Sequence, residues 1–264
     1  MENSSLSTIS PGSPRSYAPD SFRALPSAFV LFGLVAIIIV IFVAGAAAFM
    51  LAAHVVTITP YGTAIDRRAL ARDAVPFSLA LQLLIDVFVA IYLLAAIPAF
   101  ERTNLRAVGF GSLDGTQLLV AVIGAAAMVA VVDGLGSAIN SMLHTNHEQQ
   151  AVRLLLSAHG RMLRAMVAAL AIVVAPVAEE LTFRVFVFNA VGRYGGFWLG
   201  AVASGILFAA AHADKYAFIP LVFGGIILCG VYARTRNAYA SMITHGLFNT
   251  VSVLALYFAP QLAK

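Results

Sequence analysis

The chain consists of long apolar runs separated by short polar segments. The first run, Ala28 to Val55, contains no Asp, Glu, Lys or Arg and exceeds the roughly 20 residues that a helix needs to cross a bilayer. The same pattern recurs along the chain and predicts an all-α fold, a polytopic transmembrane helical bundle of seven spans. The predicted spans are Ala28–Val55, Pro76–Phe100, Gln117–Ile139, Met166–Val191, Phe197–His212, Ala217–Ala233 and Ala238–Phe258.

The segments outside these runs indicate how the chain is organised. Residues 1–26 are rich in Ser and Pro and are typical of a disordered tail. The stretch Met142–Arg164 is amphipathic rather than apolar throughout, so it could add an eighth helix that lies along the headgroups. We divide the remainder into N-terminal transmembrane helices and loops, 27–165, and a C-terminal core of transmembrane helices, 166–264.

Composition excludes a water-soluble protein. Hydrophobic residues make up 61% of the chain and charged residues 11%, against roughly 45–50% and 25% in soluble domains. The net charge is +4, but Lys and Arg are scattered singly or in pairs. This distribution favours anionic lipid headgroups over nucleic acid as the partner. We therefore predict a multi-pass integral membrane protein. Its alanine-rich composition favours a bacterial inner membrane.

Charged residues inside the fourth predicted span call for a function. A charge at the centre of a membrane helix costs about 2.5–3.5 kcal/mol on insertion scales, yet Glu179, Glu180 and Arg184 occur together there. Glu180 and Arg184 are four residues apart, so we expect them to form an ion pair on one helix face. Glu179 is rotated from that face by about 100° and lacks that partner. Pro176 predicts a loosened helix just before the acids. The free carboxylate of Glu179 suits a general base.

Two further spans carry polar residues at helical spacing. Phe208 and His212 are four residues apart in the fifth span, and His245 and Asn249 are four apart in the seventh. Each pair therefore shares a helix face. Imidazole can act as a base, a hydrogen-bond donor or a metal ligand near neutral pH, and an Asn amide can donate to an oxyanion. The residues of the three spans could together activate water and stabilise a tetrahedral intermediate.

The three motifs, Glu-Glu-x-x-x-Arg, Phe-x-x-x-His and His-x-x-x-Asn, resemble those of the CPBP family of intramembrane proteases. That family includes the type II CAAX prenyl endopeptidases and the bacteriocin-processing, immunity and abortive-infection proteins. The resemblance covers Met166 to Phe258 and identifies the C-terminal core as catalytic. It implies that Glu179 and His212 activate the water and that His245 and Asn249 hold the oxyanion. Glu180 and Arg184 complete the first motif, and Phe208 packs against the site.

The resemblance implies an intramembrane endopeptidase. Its substrate would be a membrane-associated peptide or protein, and its nucleophile a water activated by glutamate. The cofactor is left open between two mechanisms. His212, His245 and Glu179 would be an acceptable zinc set, as in a metalloprotease, with one position open. Glu179 and His212 could equally polarise water without a metal, and we prefer that mechanism.

Two other classes of function remain as alternatives. The first is a catalytically silent scaffold or regulator of another membrane protein, like the bacteriocin-immunity relatives. The second is a proton-coupled transporter, for which Asp86, Asp133 and Glu179 would form a proton path. The absence of an internal repeat in the sequence counts against the transporter. Other intramembrane proteases are disfavoured as well, because His147-Glu148 is not followed by the second His of a His-Glu-x-x-His zinc motif.

Overall fold

The computed structural model describes residues 24–52, 56–59, 62–65, 67–101, 103–145, 158 and 160–258. The predicted disordered tail lies almost entirely outside these residues. So does most of the stretch 142–164, for which an interfacial helix was considered. Of that stretch, the structure describes the end of one helix at Leu143 and the start of the next at Arg161.

A helix lies in each of the seven predicted spans, with bounds that differ by a few residues, and the all-α fold is confirmed. We number the helices α1 to α7. Their bounds are Ala24–Ala52 (α1), Arg67–Glu101 (α2), Gly115–Leu143 (α3), 161–194 (α4), 197–211 (α5), Phe218–Thr235 (α6) and Ala238–Phe258 (α7).

A short hairpin between α1 and α2 was not predicted. Strands β1, Val56–Thr59, and β2, Gly62–Ile65, pair antiparallel with Val56 opposite Ile65. The first strand reads Val-Thr-Ile-Thr, a run of β-branched residues that favours strand over helix. The last three residues of the first predicted span, 53–55, lie outside the described residues.

Five helical stretches in the described part of the chain are long and apolar enough to cross a bilayer. One of them, Arg161–Ala211, has 51 residues and would be about 77 Å long if straight, more than twice the thickness of a bilayer core. It is broken at Gly195 and Gly196, and Gly196 has a φ of 73°, which a residue without Cβ adopts readily. The break divides the stretch into α4 and α5. The seventh helix, α7, is a 21-residue helix with more polar residues.

The outer surface of the bundle is apolar. Large hydrophobic side chains are exposed along α1, α2, α3 and α5, including Phe32 at 75% and Trp198 at 70%. A soluble protein does not expose apolar surface on this scale. These helices therefore present their outer faces to lipid, and the chain is an integral membrane protein.

Apolar side chains from six helices form the largest core cluster, to which α7 contributes Ala238. It contains Val30 and Leu34 of α1, Val89, Leu93 and Ile97 of α2, Leu181 and Val185 of α4, Ala201 of α5, and Cys229 and Tyr232 of α6. Helices α5 and α6 approach closely because small residues face each other. A Cβ added to Gly225 would lie 2.6 Å from the Cα of Gly205, so only Gly fits there. This core fixes α4 between α2 and α6.

Candidate active site

The acidic motif on α4 lies between two wider helical segments. Residues Leu170–Val174 and Leu181–Phe188 are π-helical, and Ala175–Glu180 between them is α-helical. Such π segments are rare and are found mostly at functional sites. The loosened backbone that Pro176 predicts is therefore present, and it continues on both sides of the two glutamates.

Pro176 explains why helix α7 docks where it does. Proline has no backbone N–H. Pro176 therefore cannot donate a hydrogen bond to the carbonyl oxygen of Ile172, four residues earlier, or to that of Ala171, five residues earlier. The amide of Asn249 donates to the Ala171 oxygen over 2.7 Å. Gly246 lies against the Ile172 oxygen, which an added Cβ would approach to 2.7 Å. Asn249 thus has a structural bond that was not predicted, and this bond uses one of its two amide hydrogens.

Glu180 and Arg184 form the predicted ion pair. Glu180 Oε1 lies 3.0 Å from Arg184 Nη1, and both side chains are 0% exposed. The guanidinium is also 4.6 Å from the centroid of the Phe208 ring and donates to the Gly225 oxygen over 3.5 Å. The cation-π contact adds to the stabilisation of the buried charge. Glu180 is thus compensated in the protein interior.

Glu180 also holds the histidine of α7. Its Oε1 is 3.0 Å from Nδ1 of His245. A carboxylate paired with Arg184 can only accept, so Nδ1 of His245 donates the hydrogen. The opposite ring nitrogen, Nε2, then faces Glu179 at 3.6 Å from Oε2. The second glutamate of the motif therefore fixes the orientation of His245 toward the first.

Glu179 differs from its neighbour in exposure and in pairing. Its side chain is 22% exposed, against 5% for His245. The 3.6 Å separation from His245 exceeds a normal hydrogen bond. As predicted, Glu179 does not share the Arg184 ion pair. The imidazole beside it is that of His245, whereas the family resemblance assigns the water to Glu179 and His212.

His212 lies at the end of α5 and is connected to the site through an aromatic ring. Its Nδ1 is 2.8 Å from the oxygen of Phe208. A carbonyl can only accept, so Nδ1 carries the hydrogen and Nε2 is the acceptor nitrogen. The Phe208 ring contacts the rings of both His212, at 4.7 Å, and His245, at 5.7 Å. The packing role expected of Phe208 is present, and its ring separates the two histidines.

The structure brings most of the predicted residues together. Glu179, Glu180, Arg184 and His245 are in direct contact, and Asn249 lies one turn beyond His245 against α4. Gly246 was not predicted, because a small residue in an apolar helix carries no signal for close approach. The position of Pro176 relative to residues 171 and 172 could have indicated that α4 needs a donor there.

The proposed zinc ligands do not form a metal site. In the described ranges, no group of three or more His, Cys, Asp or Glu side chains is arranged to hold a metal ion. Glu179 and His245 are neighbours, but the Phe208 ring lies between His245 and His212. The set His212, His245 and Glu179 therefore does not fit a zinc centre, and the chemistry below uses the side chains alone.

The helices that carry the site are similar to a known protein family. Residues 161–251 match the family model of the Rce1-like type II CAAX prenyl endopeptidases. These helices resemble a membrane protease family. The match contains all of the predicted site residues, so the resemblance inferred from the three motifs is confirmed over this part of the chain.

Two curated bacterial proteins are similar to the chain. The putative membrane peptidase YdiL of Bacillus subtilis is 28% identical over 82 residues, which are 31% of this chain and 34% of that protein. The membrane-embedded CAAX protease MroQ of Staphylococcus aureus is 32% identical over 99 residues, 35% of this chain and 40% of that protein. The chain thus spans well under half the length of these relatives. No solved structure matches it.

Proposed function

We propose that the protein is an intramembrane endopeptidase that hydrolyses a peptide bond of a membrane-associated peptide or protein with a water activated by Glu179. The observation that carries the proposal is the contrast between two adjacent glutamates. Glu180 is fully buried and neutralised by Arg184, whereas Glu179 is partly open and has no cationic Arg or Lys beside it among the described contacts. A carboxylate that is not needed for stability is free to take a proton.

In this mechanism Glu179 removes the proton from the attacking water. The water adds to the carbonyl carbon of the scissile bond, and the proton passes through Glu179 to the leaving amine, so that an acid and an amine are formed. His212 assists through Nε2, the nitrogen that its bond to Phe208 leaves as an acceptor. General acid–base catalysis of this kind contributes about 10²–10⁴-fold to the rate.

His245 and Asn249 stabilise the oxyanion in the proposed mechanism. Glu180 accepts a hydrogen bond from Nδ1 of His245, and Nε2 lies beside Glu179. In this mechanism Nε2 donates to the oxyanion from the doubly protonated ring, which has a hydrogen on both nitrogens. Asn249 uses one amide hydrogen for Ala171 and keeps the other for the developing charge. Donors held in place before the reaction stabilise the transition state without reorganisation.

The site lies among helices whose outer faces are apolar, which favours a substrate that is itself held in the bilayer. The printed names of the similar proteins refer to CAAX and prenyl substrates. A farnesylated peptide ending in a CAAX sequence and its unprenylated counterpart are therefore the two probes of choice. We further propose a bacterial inner membrane as the location, with lipids as the partners of the outer faces.

Double substitution tests whether the protein is an enzyme. Residues of one catalytic unit are strongly non-additive, so Glu179→Gln, His212→Ala and the double variant are each expected to lose nearly all turnover of the probes. The four purified proteins are compared in a cleavage assay with and without a zinc chelator. The metal-free mechanism predicts that the chelator leaves wild-type turnover unchanged.

The same four proteins distinguish the enzyme from a silent scaffold. A scaffold binds through its outer surface, which none of the substitutions changes, so a partner pulled down from membranes by the wild type would also be pulled down by the double variant. Retained biological activity in the folded double variant contradicts the protease. Loss of activity together with intact folding supports it.

A further inference from the structure

The mechanism leaves one buried carboxyl group unused. Asp86 on α2 is 4% exposed, and α2 packs directly against the part of α4 that contains the acidic motif. Asp86 shares a helix face with Leu79, Gln82, Val89 and Leu93, which recur at spacings of three and four residues. Leu79, Val89 and Leu93 are all buried, so this face is turned toward the protein. Gln82 lies at its exposed edge.

The neighbours of that face determine the level of Asp86 along α4. Before Asp86, Leu79 packs with Val167 and Leu170 of α4. After it, Val89 and Leu93 belong to the core cluster that contains Leu181 and Val185. Asp86 lies between these two contacts and is therefore level with the segment Ala175–Glu180.

The carboxyl groups of Asp86 and Glu179 are close enough to interact electrostatically. This proximity agrees with the level that the apolar contacts assign to Asp86. Glu179 therefore has a carboxyl group as one neighbour, Asp86 on α2, and an imidazole as another, His245 on α7. Asp86 belongs to the N-terminal helices, outside the region that matches the protease family.

The hydrogen bonding of Asp86 is incomplete. Its Oδ1 accepts from Nε2 of Gln82 over 2.8 Å, which fixes the orientation of the carboxyl group. Its Oδ2 has no hydrogen-bond partner among the described residues. A buried polar oxygen without a partner is costly and needs an explanation, such as a bound water.

We propose that Asp86 is a positioning residue of the active site, whose Oδ2 hydrogen bonds to the water that Glu179 activates. This inference rests on the proposed endopeptidase function. Gln82 holds one oxygen of the carboxyl group so that the other is directed toward Glu179. Two carboxyl groups then hold the water from two helices, and Asp86 contributes by fixing its position for attack.

The test uses apolar and isosteric variants of Asp86 in the peptide assay. The double variant Gln82→Leu with Asp86→Leu removes both members of the hydrogen bond. Neither the buried Asp86 nor the exposed Gln82 then leaves an unpaired polar group within the membrane, so folding is preserved. We expect kcat to fall by about 10- to 100-fold, the scale of a misplaced reactant, with KM unchanged. Asp86→Asn should restore most of the rate, because both amides can rotate to keep the Gln82 bond and the bond to water.

Controls separate this inference from the function on which it rests. Wild type that cleaves and Glu179→Gln that does not establish the protease, and a wild type that cleaves neither probe overturns both proposals. Once the protease is established, an unchanged kcat in the Gln82→Leu, Asp86→Leu double variant contradicts the role of Asp86 and leaves the proposed endopeptidase function intact. Asp86→Asn as slow as the Leu double variant overturns that role too. Asp133→Leu, which removes an intramembrane carboxyl from α3, is the matched control and should leave kcat and KM unchanged.

Discussion

The N-terminal helices α1 and α2 and the C-terminal core are stabilised by different kinds of contact. Helix α1 packs on α2 mainly through apolar side chains. Among the described residues, two polar contacts join these helices: Tyr92 donates to the Val30 oxygen over 3.1 Å, and Ser27 donates to Glu101 over 2.6 Å. In the C-terminal core, charged and polar groups connect α4 to α6 and α7. Glu180 alone contacts both Arg184 of its own helix and His245 of α7.

This difference has a physical cause. Apolar association between helices in lipid depends on close packing, because the lipid is as apolar as the side chains. Polar groups in the same environment must hydrogen bond to each other, since the bilayer core contains no water to bind them. Helix α1 can therefore tolerate changes on its outer face. The core cannot lose one member of its network without leaving a charge or a carbonyl unpaired.

The largest expected effect is on catalysis at Glu179. Glu179→Gln keeps the size of the side chain and removes the base, so kcat for the peptide probes should fall by about 10²–10⁴-fold. The amount of folded protein should stay at the wild-type level, because Glu179 is partly exposed and outside the Arg184 ion pair. Cleavage kinetics and the yield of monodisperse protein in detergent measure the two expectations.

The next largest effect is on stability at Glu180. Glu180→Gln leaves Arg184 buried without its counter-charge, which should lower the free energy of unfolding by about 3–5 kcal/mol. Thermal unfolding in detergent micelles and the amount of protein in membranes measure the loss. Adding Arg184→Met should recover part of it, because the uncompensated charge is removed. Equal loss of protein in Glu179→Gln and Glu180→Gln would show that the two roles are wrongly divided.

A smaller effect is expected where Asn249 of α7 donates a hydrogen bond to the backbone of α4. Asn249→Ala leaves the Ala171 oxygen without its donor, at a cost of about 1–3 kcal/mol. Pro176→Ala supplies a backbone N–H nearby, so Asn249→Ala should cost less in that background. Unfolding of the wild type, the two single variants and the double variant gives a coupling energy of about 1 kcal/mol. Strict additivity of the two substitutions would contradict the proposed connection between Pro176 and Asn249.

The smallest effect is expected on the outer face of α1. Val40 is 64% exposed, so Val40→Ala should change stability by no more than about 0.5 kcal/mol. Leu34 is buried in the core cluster on the same helix, and Leu34→Ala leaves a cavity that destabilises the bundle. Thermal unfolding of both variants in the same detergent compares them. A larger loss for Val40→Ala would mean that this face is covered by protein rather than by lipid.

Much of the fold and part of the site could be predicted from the sequence. Apolar runs determine the helices because lipid leaves the backbone no other way to satisfy its hydrogen bonds. Helical spacing placed Glu180 beside Arg184 and directed attention to His245 and Asn249, since residues four apart share a face whatever surrounds them. The hairpin after α1 was missed, since a short β-branched strand beside an apolar run looks like more helix.

Tertiary structure decided the contacts between helices. The sequence determined that Glu179 and Glu180 point in different directions, but it did not determine that His245 would lie between them or that Phe208 would separate the two histidines. Pro176 indicated that a carbonyl of α4 needs a donor, but not that Asn249 would be that donor. Spacing along one helix is fixed by local geometry. The rotation and level of one helix against another depend on side-chain packing over the whole bundle, to which residues far apart in sequence contribute together.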